Sequence, residues 1–477
     1  EEEIMRRAKI VATLGPATSS YEQIKGIVDA GVNVARMNLS HGSYEVHEAV
    51  YKNVRQVAAD TGKAVAVLVD LQGPKIRLAR FKDGPVMLEK GATFKITIDE
   101  VDGDLNICGT TFKGLPGDVK VGDALLIDDG KVGLRATAVD DRTVTTVVEV
   151  AGVVSNNKGI NLPGVAVNVP ALSEKDEDDL RWALKLGADM IALSFVRDAK
   201  DIVRVHEIMR EEGVFIPTIA KVEKPQAVAA LEEIIDAFDG VMVARGDLGV
   251  ELPLEQVPLV QKRAVELCRR WAKPVIVATQ MLESMITASR PTRAEASDVA
   301  NAVLDGADAL MLSGETSVGE FPVETVATMA KIIEATEENG MDRIAPLGTR
   351  PHTHSGAVSL AAVEIAELLA LKYVCVFTES GDSVRRVSRL RSNVPILAFT
   401  PNEKIRNRLA LVWGAETFLV EPVKHTDQMI KQVEDVVVGL GKGKDGDELV
   451  VVAGTPPGVS GSTNSLRVHR IGEPTHN

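Results

Sequence analysis

Eight short apolar runs, rich in β-branched residues, recur through the first two thirds of the chain and alternate with amphipathic helical stretches. This alternation is typical of parallel strands joined by crossover helices. Eight strand-helix units of this size predict a TIM (β/α)8 barrel. The runs are Ile10 to Leu14, Val32 to Met37, Ala64 to Asp70, Met190 to Phe195, Phe215 to Ala220, Gly240 to Ala244, Pro274 to Ala278 and Ala307 to Leu312.

Two of the helix starts carry explicit signals. Thr292 with Glu295 has the spacing of a capping box, and so does Ser173 with Asp176. Crossover helices are predicted, for example, over Tyr21 to Ala30, Tyr44 to Ala59 and Leu254 to Ala272.

The interval between the third and fourth runs is several times longer than the others. It holds alternating strands such as Thr93 to Ile98 and Val144 to Val150, and hairpin-like turns at Asp83-Gly84, Asp102-Gly103 and Asp129-Gly130. We therefore predict a small antiparallel β-barrel, residues 73–171, inserted on a loop of the larger barrel. An insertion at that place is suited to act as a lid over the active face.

A segment rich in Gly, Pro, Thr and His, from Met341 to His354, is predicted to be a linker. Beyond it, strands alternate with helices and predict an open α/β domain over residues 343–477. The barrel domain then comprises residues 1–72 and 172–342. The strands of the last domain are predicted at Tyr373 to Thr378, Val394 to Thr400, Thr417 to Val420 and Leu449 to Ala453.

Composition limits where the protein works and what it binds. The net charge of −14 argues against broad nucleic-acid binding, although a local cationic pocket for an anionic substrate stays possible. No apolar run has the length of a membrane span, and Glu1 to Arg7 lacks the apolar stretch of a secretory signal. Cys108, Cys268 and Cys375 show no metal spacing. We expect a cytoplasmic protein without membrane or nucleic-acid partners.

Polar residues collect at the carboxyl ends of the predicted barrel strands, where TIM barrels place their catalytic groups. Seven of the strands contribute, and this convergence is hard to explain by stability alone. The residues are Arg36, Asn38, Ser40, His41, Asp70, Ser194, Lys221, Glu223, Arg245, Asp247, Thr279, Gln280, Ser313 and Glu315.

The most informative spacing is Lys221-Val222-Glu223, followed by Asp247 after the next strand. Residues two apart on a strand share a face, so Lys221 and Glu223 can both point into the barrel mouth. Two carboxylates without a histidine form a hard oxygen site for Mg²⁺ or Mn²⁺. Arg36 and Lys221 beside such a metal favour an anionic, phosphorylated substrate. A simple surface ion pair is the alternative for Lys221 and Glu223.

The hinge sequence Gly73-Pro74-Lys75-Ile76-Arg77 leads from the barrel into the insertion. Its basic pair could grip phosphate as the lid closes, or it could be a solvated loop. No Walker A sequence and no Gly-x-Gly-x-x-Gly follows a strand, so a nucleotide must be held by the barrel face and the lid.

These residues lie in segments that resemble the pyruvate kinase family from end to end. The segments are Ala35-Arg-Met-Asn-Leu-Ser-His-Gly42, Gly73-Pro-Lys-Ile-Arg77, Asn161-Leu-Pro-Gly164, Ala220-Lys-Val-Glu223, Met242-Val-Ala-Arg-Gly-Asp-Leu-Gly249, Ala278-Thr-Gln-Met-Leu-Glu-Ser-Met285 and Pro291-Thr-Arg-Ala-Glu-Ala-Ser-Asp298. The resemblance implies transfer of the phosphoryl group of phosphoenolpyruvate to ADP, giving pyruvate and ATP, in a homotetramer.

The resemblance also implies a role for each matching residue. Glu223 and Asp247 match the divalent-metal ligands, Lys221 the lysine that stabilises the transferring phosphoryl group, and Arg36 the phosphate-binding arginine. Gly246, Asp247 and Thr279 match substrate positions, and Thr279 lies where the enolate is protonated, by itself or by a bound water. Asn38, His41, Arg77 and Lys158 fall on the nucleotide side.

A monovalent-cation site is implied at Asn38, Ser40, Asp70 and the carbonyl of Leu71. The nearby position that is Glu in potassium-dependent members is Lys75 here. Two cations so close together would repel, so we expect the Lys75 ammonium to take the electrostatic role of K⁺ and to make K⁺ dispensable. A Lys75 side chain that points to solvent is the alternative.

In the last domain, two hydroxyl-rich loops match the family's sites for phosphorylated effectors. The implied residues are Thr378, Ser380, Gly381, Ser383, Ser460 and Ser462. Glu379 and Asp382 add negative charge, so a sugar monophosphate or AMP is expected rather than a bisphosphate.

Two other function classes remain open at this point. A metal-dependent lyase or aldolase on the same barrel would use the same Mg²⁺, arginine and lysine. A non-catalytic sensor would bind metabolites only in the last domain, but it should have lost some of the motif residues named above.

Overall fold

The computed structural model describes residues 5–455, 457–458 and 463–474. The strands, in chain order, are β1 Lys9–Thr13, β2 Val34–Asn38, β3 Ala66–Asp70, β4 Val86–Leu88, β5 Thr93–Thr97, β6 Ile107–Gly109, β7 Ala124–Ile127, β8 Val132–Val139, β9 Thr143–Val150, β10 Gly152–Val154, β11 Ile160–Asn161, β12 Met190–Leu193, β13 Thr218–Val222, β14 Gly240–Ala244, β15 Val275–Ala278, β16 Ala309–Leu312, β17 Val374–Phe377, β18 Ile396–Thr400, β19 Ala415–Leu419, β20 Glu448–Gly454 and β21 Thr463–Arg470.

The α-helices alternate with these strands except within the insertion. They are α1 Tyr21–Ala30, α2 Tyr44–Thr61, α3 Leu115–Asp118, α4 Glu174–Leu186, α5 Ile202–Glu212, α6 Pro225–Ala229, α7 Leu231–Ala237, α8 Arg245–Glu251, α9 Val257–Arg270, α10 Arg293–Asp305, α11 Gly314–Ser317, α12 Pro322–Gly340, α13 His354–Leu368, α14 Asp382–Ser388, α15 Glu403–Leu409 and α16 Thr426–Gly439.

The predicted TIM barrel is confirmed. Eight parallel strands close in the order β1-β16-β15-β14-β13-β12-β3-β2. Apolar side chains such as Leu68, Met242 and Met311 fill the interior, so polar chemistry is confined to the barrel ends. The fifth strand begins later than predicted, at Thr218, because Pro217 has no N–H to donate and Phe215 is 58% exposed.

Both predicted capping boxes are present. The Ser173 hydroxyl accepts from the Asp176 backbone N–H while the Asp176 side chain reaches back to Ser173. Thr292 and Glu295 make the same reciprocal pair at the start of α10. Each satisfies two backbone donors that a helix start leaves free.

The insertion between β3 and β12 forms a small β-barrel as predicted, but it is not wholly antiparallel, because β5 and β6 are parallel. Six strands form one sheet in the order β11-β7-β8-β9-β5-β6, and β4 pairs with β10. The two edges of the six-stranded sheet meet at the start of the insertion, through single bridges from Arg77 to Gly159 and from Leu78 to Thr110. The hinge segment therefore closes the small barrel of the insertion. The boundaries of the inserted domain at residues 73 and 171 stay a prediction.

Of the three turns predicted as hairpins, only Asp129-Gly130 joins consecutive antiparallel strands, β7 and β8. Asp102-Gly103 leads between β5 and β6, which are parallel, and Asp83-Gly84 precedes β4, which pairs with the distant β10. These two hairpin predictions are wrong, because a local turn signal does not specify which strand the chain meets next.

The last domain is the predicted open α/β sheet, with strand order β19-β18-β17-β20-β21. The four predicted strands are present and parallel, and β21 adds an antiparallel edge. Strand β21 was not predicted, because Thr463–Arg470 carries no apolar run, and an edge strand does not need one. Within the described residues, no helix is long and apolar enough to cross a bilayer.

Candidate active site

A cluster of charged side chains lies at the carboxyl ends of β2, β3 and β13. Asp70, which is 1% exposed, holds two cations. Its Oδ2 accepts from Arg36 Nε at 2.8 Å, and its Oδ1 lies 3.3 Å from the Lys221 ammonium. Lys221 also donates to Ser194 Oγ at 3.1 Å and lies 3.4 Å from Glu223 Oε1. The structure thus brings five of the polar residues predicted at the strand ends into one buried network.

Electrostatics keep Asp70 and Lys221 ionised in this network. Burial raises the pKa of Asp70, but Lys221 and Arg36 outweigh it, and the pKa lies below its usual value. Burial lowers the pKa of Lys221, but Asp70 and Glu223 outweigh it and raise the pKa. Lys221 is therefore a fixed ammonium at the barrel mouth.

Glu223 is a buried carboxylate whose pKa lies above its usual value. It is 2% exposed and accepts a 2.6 Å hydrogen bond from the Phe195 backbone N–H at Oε2. Burial raises its pKa to about 7 against the attraction of Lys221, and the negative charge of Asp247 adds to the rise. Phe195 itself has φ of 56°, an unusual conformation for a bulky residue that aims its N–H at Glu223.

The pair Glu223 and Asp247 fits a hard divalent cation. Asp247 lies in the first turn of α8, directly after β14, and its charge repels that of Glu223. A dication between the two carboxylates would remove this repulsion. No group of three or more His, Cys, Asp or Glu suited to a metal occurs in the described part of the chain. The chain thus offers a two-carboxylate site of the kind Mg²⁺ completes with water and substrate oxygens.

Thr279 follows β15 in a left-handed conformation, with φ of 71°, which a β-branched residue rarely adopts. Its Oγ1 accepts a 2.7 Å hydrogen bond from the Gly246 backbone N–H. Arg245 donates to the Thr279 carbonyl at 2.7 Å and is itself held by both oxygens of Asp298, at 2.7 and 2.8 Å. The structure therefore joins the predicted substrate positions Gly246 and Thr279.

Arg245 and Asp298 lie in two of the family-like segments, but no role was predicted for the pair. The sequence offered only the opposite charges of the two residues, which lie in separate segments and 53 positions apart. Sequence separation of this size hides a contact that only the closed barrel creates.

The residues of the predicted monovalent-cation site lie together at the ends of β2 and β3. Asn38 stands opposite Asp70 in the strand register, and Asn38 Oδ1 accepts from the Ser40 N–H at 3.0 Å. The Leu71 carbonyl accepts from Ser194 Oγ at 2.7 Å.

Lys75 is not brought to this group. It is exposed, and its Nζ lies by the backbone of Gly159 in the insertion. In the part of the chain that the structure describes, no ion pair joins Lys75 to Asp70. The side chain instead lines the cleft between lid and barrel.

That cleft, of about 640 Å³, lies beside Asp247. The lid rests on the barrel through Asn161, which donates to Glu251 Oε1 at 3.0 Å, and through the Val167 carbonyl, which accepts from Arg197 at 3.1 Å. Lys224 lies 3.5 Å from the same Glu251 oxygen.

The four predicted nucleotide residues form two separate pairs. Arg77 and Lys158 are neighbours in the lid, where Arg77 donates to the Asn157 carbonyl and Lys158 pairs with Asp128 at 3.5 Å. Asn38 and His41 lie on the barrel, joined by a backbone hydrogen bond. Within the described residues, no contact joins the lid pair to the barrel pair.

Three of the predicted effector residues, Thr378, Ser380 and Ser383, line a cavity of about 670 Å³ at the carboxyl end of β17. Thr378 Oγ1 accepts from the Gly381 N–H at 2.7 Å, Ser380 lies beside them, and the Ser383 hydroxyl contacts that of Thr463. Ser460 and Ser462 lie outside the described residues.

Comparisons with known proteins agree over almost the whole chain. The family model "Pyruvate kinase, barrel domain" matches residues 5–326, and "Pyruvate kinase, alpha/beta domain" matches residues 356–469. The pyruvate kinase of Corynebacterium glutamicum is 57% identical over 470 residues, 98% of each chain. That of Mycobacterium tuberculosis is 57% identical over 469 residues, 98% of this chain and 99% of its own. A crystal structure of a pyruvate kinase from Cryptosporidium parvum superposes with a TM-score of 0.92 at 33% identity, covering 98% of this chain and 96% of that one.

Proposed function

Because the chain belongs to the pyruvate kinase family, we propose that its barrel mouth transfers the phosphoryl group of phosphoenolpyruvate to ADP, giving pyruvate and ATP. The chain is a phosphotransferase of glycolysis, and this function replaces the lyase and sensor alternatives. One observation carries the assignment of the site: a buried ammonium, Lys221, lies 3.4 Å from a carboxylate suited to a divalent metal.

The proposed roles follow from charge. Phosphoryl transfer spreads negative charge over the oxygens of the moving group, so it requires fixed cations and little covalent chemistry. Lys221 is held by Asp70 and Ser194 and supplies such a cation. Arg36, anchored on Asp70 and on Thr13 Oγ1 at 2.9 Å, supplies a second one that binds the phosphate of the substrate.

Glu223 and Asp247 would hold Mg²⁺ or Mn²⁺. When bound, the dication supplies electrostatic neutralisation of substrate and phosphoryl oxygens. The Phe195 N–H orients the Glu223 carboxylate, and α8 orients Asp247 at its first turn. Burial raises the pKa of Glu223, so a proton on this carboxylate competes with the cation.

The carboxylate end of the substrate is assigned to Gly246 and Thr279. The backbone at the start of α8 presents N–H groups, which suit a carboxylate. Once the phosphoryl group has left, the enolate of pyruvate takes one proton at its methylene carbon. We assign its delivery to the Thr279 hydroxyl, or to a water which that hydroxyl orients.

The nucleotide is assigned to the space between lid and barrel. Arg77 and Lys158 would meet the ADP phosphates from the lid, and Asn38 and His41 from the barrel. The separation of the two pairs supports a lid that closes when ADP binds, which excludes water from the transfer.

Lys75 is proposed to replace the monovalent cation. Its place on the hinge, five residues after Asp70, lets the ammonium turn from Gly159 towards Asp70 when the lid closes. The test is turnover with K⁺ replaced by a bulky organic cation, where activity should be retained. A large loss would contradict the proposal, and K75E should create a K⁺ requirement that the wild type lacks.

The cavity by Thr378, Ser380, Gly381 and Ser383 is proposed to bind a monophosphate effector. Titration of activity with a sugar monophosphate and with AMP at low phosphoenolpyruvate tests it, and no response to either would contradict it. A homotetramer in the cytoplasm is proposed on the family relationship alone.

The function itself is tested by one coupled assay. Phosphoenolpyruvate should be consumed only with ADP and a divalent metal present. Consumption without ADP would point to the lyase chemistry considered above.

A further inference from the structure

The chain crosses between the barrel and the lid twice, once after β3 and once before α4. Gly73 lies on the first crossing, shortly after the end of β3, and Ser173 lies on the second, directly before α4. Both crossings meet at a single side chain, that of Asp176 in the first turn of α4. This side chain lies in the interior, because Asp176 is 0% exposed.

The Asp176 carboxylate gives one oxygen to each crossing. Its Oδ1 accepts from the Gly73 backbone N–H at 3.0 Å, and its Oδ2 accepts from the Ser173 backbone N–H at 3.0 Å. The bond to Ser173 belongs to the capping box of α4. The bond to Gly73 spans 103 positions of the sequence and contributes nothing to that helix start. One carboxylate therefore binds both ends of the lid as well as capping a helix.

Holding this carboxylate in the interior is costly. Burial raises the pKa of Asp176, although the hydrogen bonds from Ser173 and Gly73 lower it. Among the residues that the structure describes, no lysine or arginine pairs with Asp176. A capping box works equally well with a neutral glutamine at this position, so capping alone does not require a buried charge. The cost indicates a second role for the side chain.

The Gly73 backbone packs directly on the end of β12. Its φ is 80°, and a Cβ at this position would lie 2.7 Å from the Phe195 ring and 2.7 Å from Ser194 Cβ. Leu71 is bound to the same strand end, because its N–H donates to the Ala192 carbonyl at 3.1 Å and its carbonyl accepts from Ser194 Oγ at 2.7 Å. The hinge and the end of β12 therefore form one packed unit.

Ser194 and Phe195 in turn hold two groups that the proposed transfer needs. The Ser194 hydroxyl accepts from the Lys221 ammonium at 3.1 Å. The Phe195 N–H donates to Glu223 Oε2 at 2.6 Å. A displacement of Gly73 would therefore move the supports of a catalytic cation and of a metal ligand together.

We propose that Asp176 is a positioning residue for phosphoryl transfer, which fixes the Gly73 hinge against the end of β12. Through that contact it holds Lys221 and Glu223 in place beneath the lid. Because the second crossing is bound to the same carboxylate, both ends of the lid are held at one point. This inference rests on the proposed function, since it gives Asp176 a part in that reaction.

Steady-state kinetics of D176A test the proposal. The variant leaves the Gly73 N–H without its acceptor, so the hinge is free to shift on Ser194 and Phe195. We expect kcat to fall about tenfold or more, since a displacement of about 1 Å at a reacting centre costs up to about 100-fold. The KM for phosphoenolpyruvate should change little, because Arg36 and Thr279 lie on other strands.

S173A is the matched control. It removes the hydroxyl that caps α4 but keeps the backbone N–H at position 173 and the bond from Gly73 to Asp176. Its kcat should be close to that of the wild type. If S173A loses as much activity as D176A, the effect comes from the helix start, and the positioning role is overturned.

Hydrogen exchange of the full-length protein, followed by mass spectrometry, gives a readout that does not depend on turnover. The peptide that contains Gly73 should exchange about tenfold faster or more in D176A, because a buried hydrogen bond is lost, and at the wild-type rate in S173A. Faster exchange in D176A with an unchanged kcat would overturn the positioning role alone. A wild type that does not turn over phosphoenolpyruvate with ADP would overturn the proposed function, and this role with it.

G73A keeps the proposal testable if D176A does not fold. The added Cβ would press on Ser194 and Phe195 without touching α4, so kcat should again fall about tenfold or more. The proposal is overturned if D176A has the kcat of the wild type. Where D176A does not fold, a wild-type kcat in G73A overturns it.

Discussion

Two residues at the active site, Thr279 and Phe195, have backbone conformations that their residue types rarely adopt. Thr279 and Phe195 both have left-handed backbone, and each takes part in a hydrogen bond at the site, through the Thr279 hydroxyl and the Phe195 N–H. Conformations of this kind persist only where surrounding contacts enforce them. At Thr279, the hydrogen bond from Arg245 to the backbone carbonyl holds the left-handed conformation.

We expect D298N to lower kcat about 10- to 100-fold, because Arg245 loses its bidentate anchor and Thr279 shifts from the substrate. The KM for ADP should change little, since the nucleotide residues lie elsewhere. Steady-state kinetics measure both constants. N301A is the matched control, because Asn301 is exposed on the same α10 and accepts from Lys262, away from Arg245. Equal effects of the two variants would show that Asp298 is not a positioning residue.

At the scale of elements, the lid and α8 are coupled through one buried carboxylate. Glu251 ends α8, whose first turn carries Asp247, and it accepts from Asn161 of the lid. The lid therefore contacts α8, the same helix that carries the proposed metal ligand Asp247.

E251A should raise the KM for ADP up to about tenfold, because the lid loses a hydrogen bond to a charged group at the cleft. The KM for phosphoenolpyruvate should change less. E255A, an exposed residue just beyond α8, is the control and should behave as the wild type. If the KM for ADP is unchanged in E251A, the hydrogen bond between Asn161 and Glu251 does not contribute to nucleotide binding.

What the sequence could predict differs among these elements. The eight barrel strands were found because buried parallel strands are continuous apolar runs, and the charges at their ends were found because strand ends converge. Strand β21 and the parallel pair β5 and β6 were missed, because edge strands and non-local pairings leave no periodic signal. The side-chain position of Lys75 was likewise not predictable, since it depends on where Gly159 of the lid lies.

At the scale of the whole molecule, a buried lysine ties the barrel to the last domain. Lys9, at the start of β1, donates to the Ala415 carbonyl of β19 at 2.7 Å. Burial, aided by the charge of Arg6, lowers the pKa of Lys9 to about 8. In the unfolded chain, Lys9 keeps its proton up to the ordinary lysine pKa of 10.5. Between pH 8 and pH 10.5, the unfolded chain therefore binds more protons than the folded chain.

Stability should therefore rise with pH through this window, and the full penalty of burying the charge applies below pH 8. K9M should remove the penalty, worth up to about 3 kcal/mol, and raise the Tm at pH 7. Thermal unfolding at pH 7 and pH 10 measures both effects. K63M, at an exposed lysine, is the control. Parallel pH slopes for the wild type and K9M would contradict the assignment.

The proposed phosphoryl transfer depends on Lys221 acting as a fixed cation beside Glu223 and Asp247. K221M should reduce kcat for phosphoenolpyruvate and ADP by several orders of magnitude, because the charge on the moving phosphoryl group loses its buried partner. Binding of Mn²⁺, followed by electron paramagnetic resonance, should persist, since Glu223 and Asp247 remain. A kcat for K221M close to that of the wild type would contradict the role of Lys221 as the cation that stabilises the moving phosphoryl group.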